Sequence, residues 1–187
     1  APLMCPGIAR YRAFRLTQTQ KGQKLGLYGF GPTASYVLQV ANFLGVETFV
    51  ITRSERNGSC AKELGASWVG SYEDELPCKL DAGIIFSPAG NLVELALSQL
   101  DSGGRLVLAP VTSTPIEIKD YNNIWMERSI ISLANICRED GIEFLKIADE
   151  INIKTKVETF DFNELPETLI RAKQGKIGGN AVIKTAK

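Results

Sequence analysis

Six residues, Gly29-Phe30-Gly31-Pro32-Thr33-Ala34, have the types and spacing of a phosphate-binding turn. In a G-x-G-x-x-A pattern the first glycine permits a tight turn and the second lets the backbone approach a pyrophosphate. The alanine lets the following helix pack closely on the preceding strand. That helix directs unpaired N–H groups at the anion. Pro32 removes one donor and suits a first helical turn. The same pattern also occurs as a plain tight turn, and its context decides between the two uses.

A dinucleotide site of this kind places an Asp or Glu about 20 residues further on, where it accepts from the ribose hydroxyls of NAD. Here Thr52-Arg53-Ser54 stands at that place. A guanidinium flanked by two hydroxyls suits a 2′-phosphate and offers no carboxylate to ribose hydroxyls, so NADP is expected in preference to NAD. Arg56 adds charge, blunted by Glu55. The alternative is that Arg53 and Arg56 are solvated loop charges.

Other chemistries are excluded by residue type. The chain contains no histidine, so Ser-His-Asp and Cys-His catalysis cannot be assembled within it. Its 4 cysteines, Cys5, Cys60, Cys78 and Cys137, form no C-x-x-C pair and read as reduced thiols rather than a disulfide framework. The 21 basic and 21 acidic side chains cancel, and no block of like charge occurs, which argues against a nucleic-acid partner. Apolar runs such as Ala82-Gly83-Ile84-Ile85-Phe86 fall far below the ~18 residues of a membrane span. The opening Ala1-Pro2-Leu3-Met4-Cys5-Pro6 lacks the features of a secretory signal, so a cytoplasmic location is expected.

The turn needs a strand before it and a helix after it, and the surrounding sequence provides both. Lys24 to Gly29 reads as a strand; Ala34, Val37, Leu38, Ala41 and Leu44 have helical spacing. Gly45 stops that helix. Glu47 to Thr52 reads as a second strand, Ser59 to Leu64 as a short helix, and Ala66 to Gly70 as a third strand. The pattern resumes with a strand over Leu80 to Phe86, a helix over Leu92 to Leu100 and a strand over Arg105 to Ala109. Gly103-Gly104 separates the last two, and Ser129 to Leu133 is a further strand. Two βαβ halves with near-continuous apolar strands imply an α/β doubly wound parallel sheet of the Rossmann type, with strand order 3-2-1-4-5-6. Beyond Cys137 the sequence reads as a helix (Ile142 to Ile151), a strand (Lys156 to Asp161), a helix (Pro166 to Lys173) and a strand (Ala181 to Ile183). With 187 residues, one domain with an appendage is expected.

Five motifs occur in order: the opening Ala1 to Phe14 (APLMCPGIARYRAF), Gly26-Leu27-Tyr28-Gly29-Phe30-Gly31, Lys62-Glu63-Leu64-Gly65-Ala66, Gly103-Gly104-Arg105-Leu106-Val107, and Gly175-Lys176-Ile177-Gly178-Gly179-Asn180-Ala181-Val182. Together they resemble the C-terminal, nucleotide-binding part of zinc-dependent medium-chain alcohol dehydrogenases. The resemblance implies a linking segment over 1–20, a dinucleotide-binding domain over 21–150 and an extension over 151–187 that in relatives returns to a GroES-like catalytic domain. That catalytic domain is expected to lie outside this chain.

The resemblance also implies that Cys5 is one ligand of a catalytic zinc, with the other ligands and the proton relay in the absent domain. On the residues alone, a lone cysteine reads as a small hydrophobe. Cofactor contacts are implied for Ser87-Pro88 and Pro110-Val111, at the ends of the fourth and fifth strands, in agreement with where ligands sit on parallel sheets. Where the family commonly has an arginine against the pyrophosphate, this chain has Asn180, and weaker cofactor binding is expected. Pairing of two copies through the sheet edge near Val111 to Ser113 and Ser129 to Ser132 is a family trait.

The leading reading is the cofactor-binding portion of an oxidoreductase that moves hydride between an alcohol or aldehyde and NADP(H), inactive as this chain alone. The alternative is a non-catalytic NAD(P)-binding sensor or regulatory module.

Overall fold

Neighbouring residues on the central strands go to opposite cores, which explains why those strands read as unbroken apolar runs. In a computed structural model, which describes residues 1–185, Leu27, Val50, Ile84 and Val107 enter one hydrophobic cluster. Tyr28, Ile51, Ile85 and Leu106 enter the other. The strands are β1 (Lys24–Tyr28), β2 (Glu47–Ile51), β3 (Trp68–Gly70), β4 (Leu80–Ile85), β5 (Leu100–Leu108) and β6 (Ser129–Ser132). They form one all-parallel sheet in the order β3-β2-β1-β4-β5-β6, the doubly wound topology expected.

The first cluster is closed by α1 (Ile8–Thr17), α2 (Ala34–Phe43) and α5 (Arg138–Glu150), through Ile8, Tyr11, Phe14, Val37, Leu38 and Phe144. Ala61 of α3 (Glu55–Glu63) joins the same cluster, and α4 (Asn91–Gln99) covers the second face with Leu92, Val93, Ala96 and Leu97. Gly26 and Gly83 are register partners on β1 and β4. A Cβ on either would come within 3.0 Å of the Tyr28 ring, so the paired glycines make room for that side chain. The buried Tyr28 hydroxyl donates to Gln99 at 2.7 Å.

Several boundaries differ from the sequence reading for identifiable reasons. α3 begins at Glu55 rather than Ser59, because the Ser54 hydroxyl accepts from the Asn57 N–H at 3.3 Å and caps a segment of weak helix formers. β5 begins at Leu100, so Gly103-Gly104 lies within the strand instead of before it. The register shifts between the Leu80–Leu100 and Ala82–Arg105 pairs, and Gly103 takes φ +70° in that irregularity. α5 begins at Arg138, where Cys137 and Asp140 make reciprocal caps.

The rest of the chain builds β7 (Val157–Asp161), α6 (Leu165–Lys173) and β8 (Asn180–Lys184), with β7 and β8 paired in parallel as a separate ribbon. Polar contacts join this unit to the main sheet's helices. The Gln39 amide donates to the Lys154 carbonyl at 3.0 Å and accepts from the Lys154 N–H at 2.7 Å, Arg56 donates to the Gly178 carbonyl at 3.2 Å, and Asn180 donates to the Tyr36 hydroxyl at 3.0 Å. Leu169 and Ile170 of α6 remain exposed.

Candidate functional site

The predicted site residues gather at the C-terminal ends of β1, β2, β4 and β5, beside the point where the strand order reverses. β1 ends at Tyr28, and Gly29 turns the chain with φ +81° while its N–H donates to the Ile51 carbonyl at 2.8 Å. A Cβ on Gly29 would sit 3.5 Å from the Ser87 backbone nitrogen, so the turn abuts the loop after β4. Gly31 borders open space, with nothing within 4 Å of where its Cβ would stand. α2 then starts at Ala34 with Thr33 as its N-cap residue, and no side chain caps it. The Ser35 and Tyr36 N–H groups donate to the Gly31 and Thr33 carbonyls at 3.2 and 3.3 Å, so what the helix offers the space that Gly31 leaves open is the Ala34 N–H and the positive end of its dipole. Pro32 lies ahead of the N-cap rather than in the first helical turn, and its carbonyl accepts from the Ser35 hydroxyl at 2.7 Å.

At the end of β2 the Thr52 N–H donates to the Gly70 carbonyl at 2.9 Å, which fixes the chain as it leaves the sheet. Arg53 and Ser54 are exposed. The Arg53 guanidinium stands 6.0 Å from the centre of the Tyr72 ring, and among the described residues it makes no ion pair. Burial raises the Tyr72 pKa, and the Arg53 charge partly offsets that rise. Arg56 is directed elsewhere, to the Gly178 carbonyl.

Past β4 and β5, Ser87, Pro110 and Val111 line a cavity of about 160 Å³ with Val93, Leu108 and Ser132, while Pro88 lies outside it and its carbonyl accepts from the Thr114 N–H at 3.2 Å. A larger cavity of about 330 Å³ lies on the other side of the glycine turn. Gly31 and Pro32 border it together with Ser35, Asn57, Cys60 and the segment from Lys154 to Lys156. The Asn57 amide donates to the Phe30 carbonyl and so braces the turn from α3. The Asn180 amide donates to the Tyr36 hydroxyl at 3.0 Å and to the Lys156 carbonyl at 3.2 Å.

Sequence reasoning passed over Arg10. It is half-buried, its Nη1 donates to the Ala109 carbonyl at 2.7 Å, and its Nε reaches the Thr33 hydroxyl at 3.4 Å. Its guanidinium also lies 5.6 Å from the centre of the Phe86 ring. The signal was present as a cation on a helix whose neighbours Ile8, Tyr11 and Phe14 are core residues. Burial lowers its pKa, with the nearby Cys5 thiol acting in the opposite sense.

Cys5 is exposed, and among the described residues no three His, Cys, Asp or Glu side chains gather to hold a metal. The residues present therefore do not make a zinc site by themselves. The cradle for a dinucleotide is different: an open Gly31, an uncapped α2 and an adjoining unpaired Arg53 fit a ligand with a pyrophosphate and a second anionic group. No helix among the described residues is long and apolar enough to cross a membrane.

No family model matches the chain. It is 37% identical over 184 residues to a probable alcohol dehydrogenase, AdhA, of Mycobacterium tuberculosis, covering 98% of this chain and 53% of that relative. An alcohol dehydrogenase of Geobacillus stearothermophilus is 29% identical, over 98% of this chain and 57% of its own length. Among solved structures, acetophenone reductase from Geotrichum candidum in complex with NAD superposes with a TM-score of 0.86 at 22% identity, covering 97% of this chain and 54% of that one. CAD from Helicobacter pylori complexed with NADP(H) gives 0.83 at 21% identity, covering 98% and 54%. These structures share the Rossmann fold found here. The similarity to alcohol dehydrogenases extends over 98% of this chain, which spans about half the length of the curated relatives it matches.

Proposed function

We propose that this chain is the cofactor-binding portion of an oxidoreductase acting on a small alcohol or aldehyde, and that it prefers NADP(H) to NAD(H). The observation that carries this reading is the open space at Gly31 in front of the uncapped α2, at the switch point of the sheet. Bound NADP(H) would supply or accept the hydride. The chain's own residues would bind and orient it. Gly29, Gly31, Pro32, Thr33 and Ala34 would hold the pyrophosphate. Thr52, Arg53 and Ser54 would take the adenosine ribose and its 2′-phosphate. Ser87, Pro88, Pro110 and Val111 would border the nicotinamide half.

The relative named as complexed with NADP(H) and the one in complex with NAD support a nicotinamide dinucleotide and leave the choice to Arg53. A zinc role for this chain is confined to Cys5, which would give one thiolate to a site whose other ligands come from outside these residues. The edge strand β6 is the surface through which two copies would pair. Titrating the chain with NADPH while following dihydronicotinamide fluorescence tests the reading: saturable binding is expected, and an absence of binding overturns it.

A further inference from the structure

On the cofactor reading above, we propose that Arg10 makes the site discriminate between the two redox states of the nicotinamide, favouring NADPH over NADP⁺. The placement comes from the fold. With the pyrophosphate at the Gly29–Ala34 turn and the adenosine over the end of β2, the nicotinamide half must extend the other way, across the ends of β4 and β5. Arg10 stands at that end. Its guanidinium donates to the carbonyl of Ala109, the residue immediately after β5, and lies over the ring of Phe86, the residue immediately after β4. Its third contact, to the Thr33 hydroxyl, joins this corner to the glycine turn.

Arg10 is a half-buried cation that forms no ion pair with a carboxylate among the described residues. The charged residues nearest to it along α1, Arg12 and Arg15, are turned away onto Asp140. Its charge is therefore uncompensated on the side where the ring would lie, apart from the Cys5 thiol. The oxidised nicotinamide carries a positive charge and the dihydronicotinamide none. A guanidinium within about 6 Å of the ring would, in half-solvated surroundings, disfavour the oxidised form by about tenfold. For a two-electron couple that ratio raises the potential of the bound cofactor by about 30 mV. Neutral parts of the ligand feel the guanidinium equally in both states and cancel from the ratio.

The test compares dissociation constants of NADPH, NADP⁺ and adenosine 2′,5′-bisphosphate for the unaltered chain, Arg10→Gln and Arg10→Lys. The bisphosphate lacks the nicotinamide half and reports whether the adenosine end of the site is intact. The expected result is that NADPH binds about tenfold more tightly than NADP⁺ in the unaltered chain, that the ratio falls toward one in Arg10→Gln, and that Arg10→Lys retains most of it. Bisphosphate affinity should stay the same in all three. A ratio unchanged in Arg10→Gln overturns the role of Arg10. So does parallel loss of all three ligands in both variants, which would make the residue a structural brace of the turn. Failure of every ligand to bind the unaltered chain overturns the cofactor reading itself.

Discussion

Arg15 reaches the Asp140 carboxylate at 2.8 Å, and the Asp140 side chain has no exposed surface. This contact ties α1 to α5 over the first core cluster. Asp140 also accepts from the Cys137 N–H at 2.8 Å and sits 3.5 Å from Arg12. Burial by itself would raise the Asp140 pKa, but the Cys137 hydrogen bonds, the Arg12 charge and the Arg15 hydrogen bond outweigh it and hold the pKa below the ordinary carboxylate value. A depressed carboxylate pKa contributes stability above the unfolded value and loses it as pH falls through the folded one. Asp140→Asn should therefore cost about 1 to 3 kcal/mol at neutral pH, discounted for arginines that are one-third exposed. Urea unfolding at neutral pH and near about pH 3 checks this: the gap between the two proteins should shrink on acidification.

The glycines of the turn should separate folding from binding. Gly31→Val meets open space, so it should fold normally while occluding the approach of a pyrophosphate and abolishing binding of NADPH and NADH. Gly29→Ala, at φ +81°, should lose about 1 to 2 kcal/mol of stability. Thermal melts and cofactor titrations of both variants provide the comparison, and retained affinity in Gly31→Val would make the turn purely structural.

Arg53→Ala should weaken NADPH by about 1.5 to 3 kcal/mol and leave NADH nearly unchanged, because only the former carries the 2′-phosphate. The exposed guanidinium, free of ion pairs among the described residues, can reach a ligand without breaking an existing bridge. Equal losses for the two cofactors, or tighter NADH binding by the unaltered chain, would contradict the assignment.

The isolated chain should neither retain stoichiometric zinc nor oxidise alcohols. Cys5 offers one thiolate to a metal that takes three protein ligands in catalytic sites, and no histidine is available in the chain. Metal analysis after purification without added zinc, paired with an NADP-linked alcohol oxidation assay, decides this. One bound equivalent together with turnover would show that the chain is self-sufficient.

The sheet order was legible because its determinants are local: the strands are apolar runs, and the connections after β1, β2 and β4 are helices of recognisable period. The glycine turn was legible for the same reason, since Gly29 and Gly31 act through their own backbone. What escaped depended on contacts distant in sequence or on capping. The start of α3 depended on Ser54 overriding poor helix propensities, and β5 absorbed Gly103 only because β4 was there to pair with. Arg10 and Ala109 lie 99 residues apart, and nothing in either segment marks the other as its partner. The same holds for Asn180, whose bond to Tyr36 spans 144 residues.

The central claim is that the turn between β1 and α2 holds the pyrophosphate of NADP(H). Backbone amide chemical shifts of isotopically labelled protein, followed during an NADPH titration, read this residue by residue. The account predicts saturating shifts at Gly29, Gly31, Thr33 and Ala34, accompanied by shifts at Thr52 to Ser54. Saturation that leaves Gly31, Thr33 and Ala34 unmoved, with changes confined to the Lys154 to Lys156 side of the larger cavity, would contradict it.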